Sequence, residues 1–481
     1  MIRLIIRQTN WGILGSIFGF SIGFFVKIYL LDIVGLNAWG RYVTGLTFVS
    51  FFDALLALGI PYIIIRFIPT LVDKHEERAS NMASVFLKYA LVIGVGFLLT
   101  SYFFSPYIDK FIYTKVDDFS SLLFFMSIHV PITLLFGVIV SLYRSMLKIK
   151  EIVLYGTVVK VLLRALLTLI VFQFTSDITY FVFIEVFASI TALSILLFLF
   201  NKEQFPIFVR SDRKDILEDK KVISYGGKMF LNSMIAFISG QALSFIISIK
   251  LSSIDVGAYN ILLTLTGLTT FLLINLNTVI APAITKLYDK GNIDELNELY
   301  KKTTFLVNIV TIPLAVLIVL FSDEILGLYT AEMISYKPYL FIMMMASLIS
   351  LVTGTSGTFM IMAGLERQDV NIQLIRALLL VVFSLWLIPL MGLKIVVILY
   401  VLSMLFLKTV QLFYIKKHIN ISPFSSELLI LCFLTFITMY IAIVQNYDFE
   451  MHHYFVIPIV VYLGFFGIMF KPFKNLLKEL L

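Results

Sequence analysis

Residues 152–200 read IVLYGTVVKVLLRALLTLIVFQFTSDITYFVFIEVFASITALSILLFLF. Two apolar runs, 152–173 and 178–200, meet at the short polar turn FQFTSD (172–177). Each run is about 20 residues long, the length at which a helix crosses the hydrocarbon layer of a bilayer. Neither alternates with period two, which excludes barrel strands. Lipid offers backbone groups no hydrogen-bond partner, so each run must be helical. The stretch is therefore read as two antiparallel membrane helices. Arg164 and Glu185 stand at comparable distances from the turn, which places an arginine and a glutamate at similar depth inside the membrane.

Outward from this pair the pattern repeats. Spans are read near 10–31, 42–65, 82–104, 119–143, 152–173, 178–200, 222–249, 257–283, 303–321, 337–363, 371–390, 395–415, 427–445 and 453–470. The expected fold class is an all-α polytopic membrane protein with about 14 transmembrane helices. Composition agrees: of 481 residues 60% are hydrophobic and 14% charged, with mean hydropathy +0.99. A soluble domain of this make-up would expose far too much apolar surface.

Charge sets the expected orientation. With the N-terminus inside, 24 of the 37 Lys and Arg fall in inside loops and 6 in outside loops. The positive-inside rule then puts both termini in the cytosol. The net charge of +7 is mostly this bias, and no nucleic-acid partner is needed to explain it. The basic start (Arg3, Arg7) and the run behind it resemble a secretory signal. The run is too long, contains Lys27 and lacks a small-residue cleavage site, so a retained first span is expected.

The lone Cys432 makes neither an internal disulfide nor a metal cluster. No CxxC, HExxH, P-loop or GxGxxG setting occurs, and no cofactor or metal is expected. GTSG at 354–357 is read as small residues for tight packing in the tenth span. The longest outside loops, near 105–118 and 322–336, hold little room for chemistry, so the chain is not expected to be an enzyme.

The longest charged stretch, 201–221, follows the sixth span. It divides the chain into an N-terminal six-helix lobe (1–205), a cytosolic linker (206–221), a second six-helix lobe (222–418) and two further helices with a cytosolic tail (419–481). The halves align faintly: Gly40 and Tyr42 fall on Gly257 and Tyr259 at an offset of 217, in the same orientation. Parallel repeats of this kind are a known transporter plan.

Several short motifs carry a resemblance. They are G-x-x-x-W-G-R-Y after the first span, D-x-x-x-x-L-G in the second, VGAYN opening the eighth, APAITKLYDKGNIDELNELY, and MAGLERQDVN after the tenth. In this order and spacing the chain resembles Wzx-type polysaccharide flippases. They belong to the multidrug/oligosaccharidyl-lipid/polysaccharide exporter superfamily. The resemblance covers nearly the whole chain. It implies two six-helix lobes facing each other as a V plus two C-terminal helices, in a prokaryotic cytoplasmic membrane. It implies a cargo of undecaprenyl-diphosphate-linked oligosaccharide, an O-antigen or capsule-like unit, moved to the outer leaflet by alternating access. Other polysaccharide-assembly membrane proteins would be its partners.

Intramembrane charges bear on the cargo, because an ionisable residue in a span is costly unless it has a role. Arg164 and Glu185 are read as an ion pair. Lys160, four residues before Arg164, shares its face, and Thr157 and Thr168 extend the polar stripe. The spans hold seven Lys or Arg (27, 88, 160, 164, 228, 376, 408) against two acids, Asp53 and Glu185. From sequence alone Arg376 has no acid in its own half.

An excess of interior positive charge suits an anionic headgroup, because Arg and Lys hold phosphate oxygens by charge-assisted bonds. The candidate substrate-binding residues are Lys27, Arg66, Lys160, Arg164, Lys228 and Arg376. For Lys27, Lys88, Lys228 and Lys408, snorkelling to an interface stays open beside a functional role. Asp53 and Glu185 allow a second reading, coupling to a Na⁺ or H⁺ gradient in a drug or metabolite antiporter. A membrane polymerase or glycosyltransferase is the alternative of another class. Gly15, Gly19 and Gly23 form a small-residue ridge for close helix packing. Pro61, Pro131, Pro282 and Pro313 are read as kinks or hinges.

Overall fold

A computed structural model describes residues 2–116, 119–209 and 220–445. The fourteenth span (453–470), much of the linker and most of the tail lie outside the described residues. The described residues form helices and no strand. Among the described residues eleven helices are long and apolar enough to cross a membrane, and shorter apolar helices cover Ile60–Val72 and Ser426–Thr435. The chain is a multi-pass membrane protein.

Two compact units divide the chain, Met1–Gly257 and Ala258–Leu481. In the first lie α1 (Ile2–Leu56), α2 (Ile60–Lys74), α3 (Glu76–Phe111), α4 (Phe119–Ser127), α5 (His129–Ser145), α6 (Ile149–Val171), α7 (Thr179–Glu203) and α8 (Lys220–Lys250). The helix α9 (Ser253–Asp289) begins at the end of this unit. The second unit continues with α10 (Ile293–Leu320), α11 (Ser322–Gly327), α12 (Lys337–Val352), α13 (Ser356–Met362), α14 (Glu366–Met391), α15 (Leu393–His418) and α16 (Ser426–Gln445).

The first unit runs past the charged stretch and takes in α8, which from sequence alone falls in the second lobe. Packing accounts for this. Phe51 of α1 stacks on Phe245 of α8 at 5.1 Å between ring centroids, and Gly59 lies against the backbone of Gly226.

The first two expected spans are joined in α1 through Gly35, whose backbone leaves the helical region (φ 77°, ψ 168°). Only glycine adopts such a conformation at little cost. The expected second span, 42–65, is not continuous. It breaks after Leu56, where Leu58 (φ 43°) and Gly59 (φ 71°) are left-handed, and the Tyr89 hydroxyl donates to the freed Leu56 carbonyl at 3.1 Å.

The glycine ridge packs as expected. A Cβ on Gly15 would come 2.7 Å from the Val153 side chain and one on Gly19 3.5 Å from Thr157, so α1 lies close along α6. Opposite this ridge, α6 carries a π-helical turn, Ile152–Val158.

In the second unit the tenth span breaks between α12 and α13, with Gly354 left-handed (φ 61°). A Cβ there would overlap the Thr304 side chain. Backbone groups freed inside a membrane need partners from the protein. Here α10 supplies them: Tyr300 Oη donates to the Thr353 carbonyl at 2.8 Å, and Asn308 Nδ2 adds a second donor, at 2.7 Å, to the Leu351 carbonyl, which also accepts from the Gly354 amide at 3.0 Å. Tyr300 is fully buried and its ring stacks on Phe359 at 4.1 Å. Tyr300→Phe keeps the stack and removes the hydrogen bond. It should cost about 1.5 kcal/mol, read as a lower melting temperature of the detergent-solubilised protein.

Candidate functional site

In the first unit, α6 and α7 run antiparallel from their shared turn, and their buried faces bring Arg164 and Glu185 together. Arg164 Nη1 donates to Glu185 Oε1 at 2.9 Å. The Tyr42 hydroxyl donates to the other oxygen, Oε2. Both carboxylate oxygens therefore have a donor, which a buried charge requires. Glu185 is buried, and Arg164 keeps 22% of its side chain exposed. The Thr168 hydroxyl donates to the Arg164 carbonyl at 2.7 Å, as the polar stripe implies.

Around this pair α1 contributes two walls. A Cβ on Gly23 would lie 3.3 Å from Arg164 Nη2, so the absent side chain makes room for the guanidinium. One turn on, Lys27 Nζ sits 5.3 Å over the Trp39 ring. In a straight helix Lys27 and Trp39 would stand about 18 Å apart. The bend at Gly35 turns the two halves of α1 toward one another and allows the contact. Trp39, Tyr42 and Phe181 form an aromatic floor, with Tyr42 5.1 Å from Trp39 and 5.2 Å from Phe181.

Lys160 lies 5.9 Å from the Phe136 ring and interacts electrostatically with Glu185, as does buried His129. Lys27 in turn feels the Arg164 charge. Arg164 and Lys160 thus face one carboxylate, with Lys27 beside Arg164, a basic surplus suited to an anion.

The remaining expected residues fall elsewhere. Arg66 is exposed on α2 with its guanidinium 4.5 Å from the Tyr225 ring, and Lys228 is exposed on α8. Asp53 stands in a separate pocket of about 120 Å³ with Tyr89, Pro61 and Thr133, whose hydroxyl donates to Asp53 Oδ1 at 2.7 Å. Glu185 is not among the residues that line this pocket. Lys88 Nζ donates to the Val209 carbonyl at 3.1 Å.

Arg376 belongs to a second polar group, inside the second unit. Its expected lack of an acid is corrected here: Asp369, 1% exposed, interacts electrostatically with both Arg376 and Lys408. Asp369 Oδ1 accepts from Gln411 Nε2 at 2.6 Å and Oδ2 from Gln373 Nε2 at 2.6 Å. Ser356, of the GTSG stretch, donates to Gln411 Oε1 at 2.8 Å and accepts from Lys408 Nζ at 3.1 Å. Lys408 is therefore engaged within the protein instead of snorkelling. Sequence reasoning misses Asp369 because ERQDVN reads as a loop before the span. In fact α14 starts at Glu366, and Asp369 shares a helical face with Gln373 and Arg376. The signal that points to it is its place in MAGLERQDVN, with Lys408 and Gln411 three apart on the next helix.

Comparisons with known proteins fit this architecture. The family model described as "Polysaccharide biosynthesis protein" matches residues 5–288, and the MatE model matches residues 229–386. No curated protein matches the sequence. Among solved structures, the lipid II flippase MurJ in an inward closed conformation superposes with TM-score 0.72 at 15% identity, covering 95% of this chain and 98% of that one. An inward-facing multidrug resistance MATE transporter gives 0.63 at 16%, covering 82% and 98%. A superfamily transporter from Pyrococcus furiosus, described as having a binding pocket of reversed polarity, gives 0.59 at 16%, covering 87% and 95%. With more than half of its length matched by the first model, the chain belongs to the polysaccharide biosynthesis protein family.

Proposed function

We propose that this protein is a flippase that carries an undecaprenyl-diphosphate-linked oligosaccharide from the cytosolic to the outer leaflet of a prokaryotic cytoplasmic membrane by alternating access. Both termini are cytosolic in this reading, and the protein performs no bond chemistry. The observation that carries it is the half-buried set of Arg164 and Lys160 facing the single buried acid Glu185, with Lys27 beside Arg164. Membership of a polysaccharide biosynthesis family adds the sugar. Charge-assisted bonds from Arg and Lys hold phosphate oxygens, and a cationic cargo would be repelled. Outward movement of an anion is driven by an inside-negative potential, downhill by roughly 2.3 kcal/mol per charge per 100 mV.

One observation favours a second reading, a cation-coupled antiporter: Asp53 is a carboxylate in a pocket that no Lys or Arg lines. Vesicles reconstituted with the purified protein and a fluorescent lipid-linked oligosaccharide separate the two. Protein-dependent crossing, faster under an inside-negative potential, is the expected outcome. Export of cationic dyes with no lipid crossing would overturn the flippase reading.

A further inference from the structure

Between α14 and α15 lies a groove of about 200 Å³, lined among others by Arg376, Leu379, Phe383, Leu399, Leu402 and Phe406. Its residues on α14 recur at three- and four-residue spacing, as do those on α15, so each helix presents one face to it. The walls are apolar, and Arg376 is the one charged side chain among the lining residues. Arg376 Nη1 reaches Met404 Sδ of α15 at 3.8 Å, which fixes the guanidinium at the Phe406 end. From there the groove follows α14 for about 10 Å, two turns, to Phe383.

Charge and depth select the occupant. Arg376 and Lys408 share one acid, Asp369, whose two oxygens also accept from Gln411 and Gln373. The group therefore keeps a surplus positive charge beside the groove. Arg376 stands ten residues into Glu366–Met391, and five residues, about 8 Å of helix, inside the apolar span 371–390, below the level of the polar stretch ERQDVN. A resident phospholipid keeps its phosphate at the interface. A headgroup that reaches Arg376 has left the interface and is in transit.

We propose that this groove holds the diphosphate and the first prenyl units of the cargo while the headgroup is inside the membrane. Arg376 meets the diphosphate, and Leu379, Phe383, Leu399 and Leu402 meet the chain. The proposal rests on the flippase reading and adds to it a tail-and-phosphate site separate from the cluster in the first unit.

The test is photolabelling of the full-length protein in vesicles, with labelled peptides mapped by mass spectrometry. The probe is undecaprenyl diphosphate bearing a diazirine near its head. Undecaprenol with the same diazirine and a diazirine-bearing phosphatidylglycerol are the comparisons. Label from the diphosphate should concentrate on 379–383 and 399–406. Arg376→Gln should lower it roughly tenfold or more, the loss of one charge-assisted bond, and Arg376→Lys should restore part of it. Leu402→Trp, at an exposed position, should block labelling by filling the groove even if Arg376→Gln fails to fold.

Equal labelling by undecaprenol and the diphosphate overturns the proposal, as does labelling by phosphatidylglycerol alone. Crossing of lipid-linked oligosaccharide by wild-type protein with an unlabelled groove overturns it and leaves the flippase reading standing. A labelled groove in a protein that moves no such lipid supports the site and overturns the flippase reading.

Discussion

Glu185→Gln, with Arg164 left in place, is expected to destabilise the protein by about 3 kcal/mol, the low end of the cost of breaking a buried pair. The low end applies because Arg164 keeps 22% of its side chain exposed and finds some compensation there. Two donors lose their anionic acceptor together, Arg164 Nη1 and the Tyr42 hydroxyl. The double change Arg164→Met/Glu185→Met should recover much of that loss, because apolar residues of similar volume replace a buried pair at little net cost. Recovery stays partial, since Tyr42 still lacks its acceptor. Transport should separate from stability: the double variant should melt above Glu185→Gln and move no lipid-linked oligosaccharide. Melting followed by size-exclusion chromatography, beside the vesicle assay, reads both. Wild-type transport by the double variant would make the pair a structural bridge and remove Arg164 from the site.

Gly40→Ala is expected to abolish accumulation of folded protein. A Cβ at this position would overlap the carbonyl oxygen of Ser253 and lie 3.1 Å from the Gly257 amide nitrogen. On the other side, a Cβ on Gly257 would come 2.8 Å from the Leu36 carbonyl oxygen. The two helices therefore meet backbone to backbone, as small residues allow in membranes. No flexible side chain is present to move aside, so the helices must separate, at about 3 kcal/mol or more. Gly96→Ala is the matched control. It sits on α3 with nothing within 4 Å of the added Cβ, and should be neutral or stabilising by up to about 1 kcal/mol. Monodisperse yield in detergent measures both. A normal yield of Gly40→Ala would show that the two backbones can part at little cost.

The Arg164–Glu185 pair is legible in the sequence because depth in a membrane follows from counting along two helices joined by a short turn. Span positions, the helical class and the glycine ridge on α1 are legible for the same reason: hydropathy, helical period and small-residue spacing are local properties of the chain, and lipid leaves the backbone no alternative to the helix. The rest depends on residues brought in from afar. The breaks at 57–59 and 353–355 persist because Tyr89, Tyr300 and Asn308, on other helices, donate to carbonyls at these breaks. Asp369 is buried because Gln411, forty-two positions on, donates to its carboxylate. Lys27 joins Arg164 and Trp39 because α1 turns at Gly35. Partners that satisfy a buried charge or a freed carbonyl are specified by helix packing, which no local stretch of sequence encodes. The second polar group and the groove beside Arg376 are therefore decided by the tertiary structure alone.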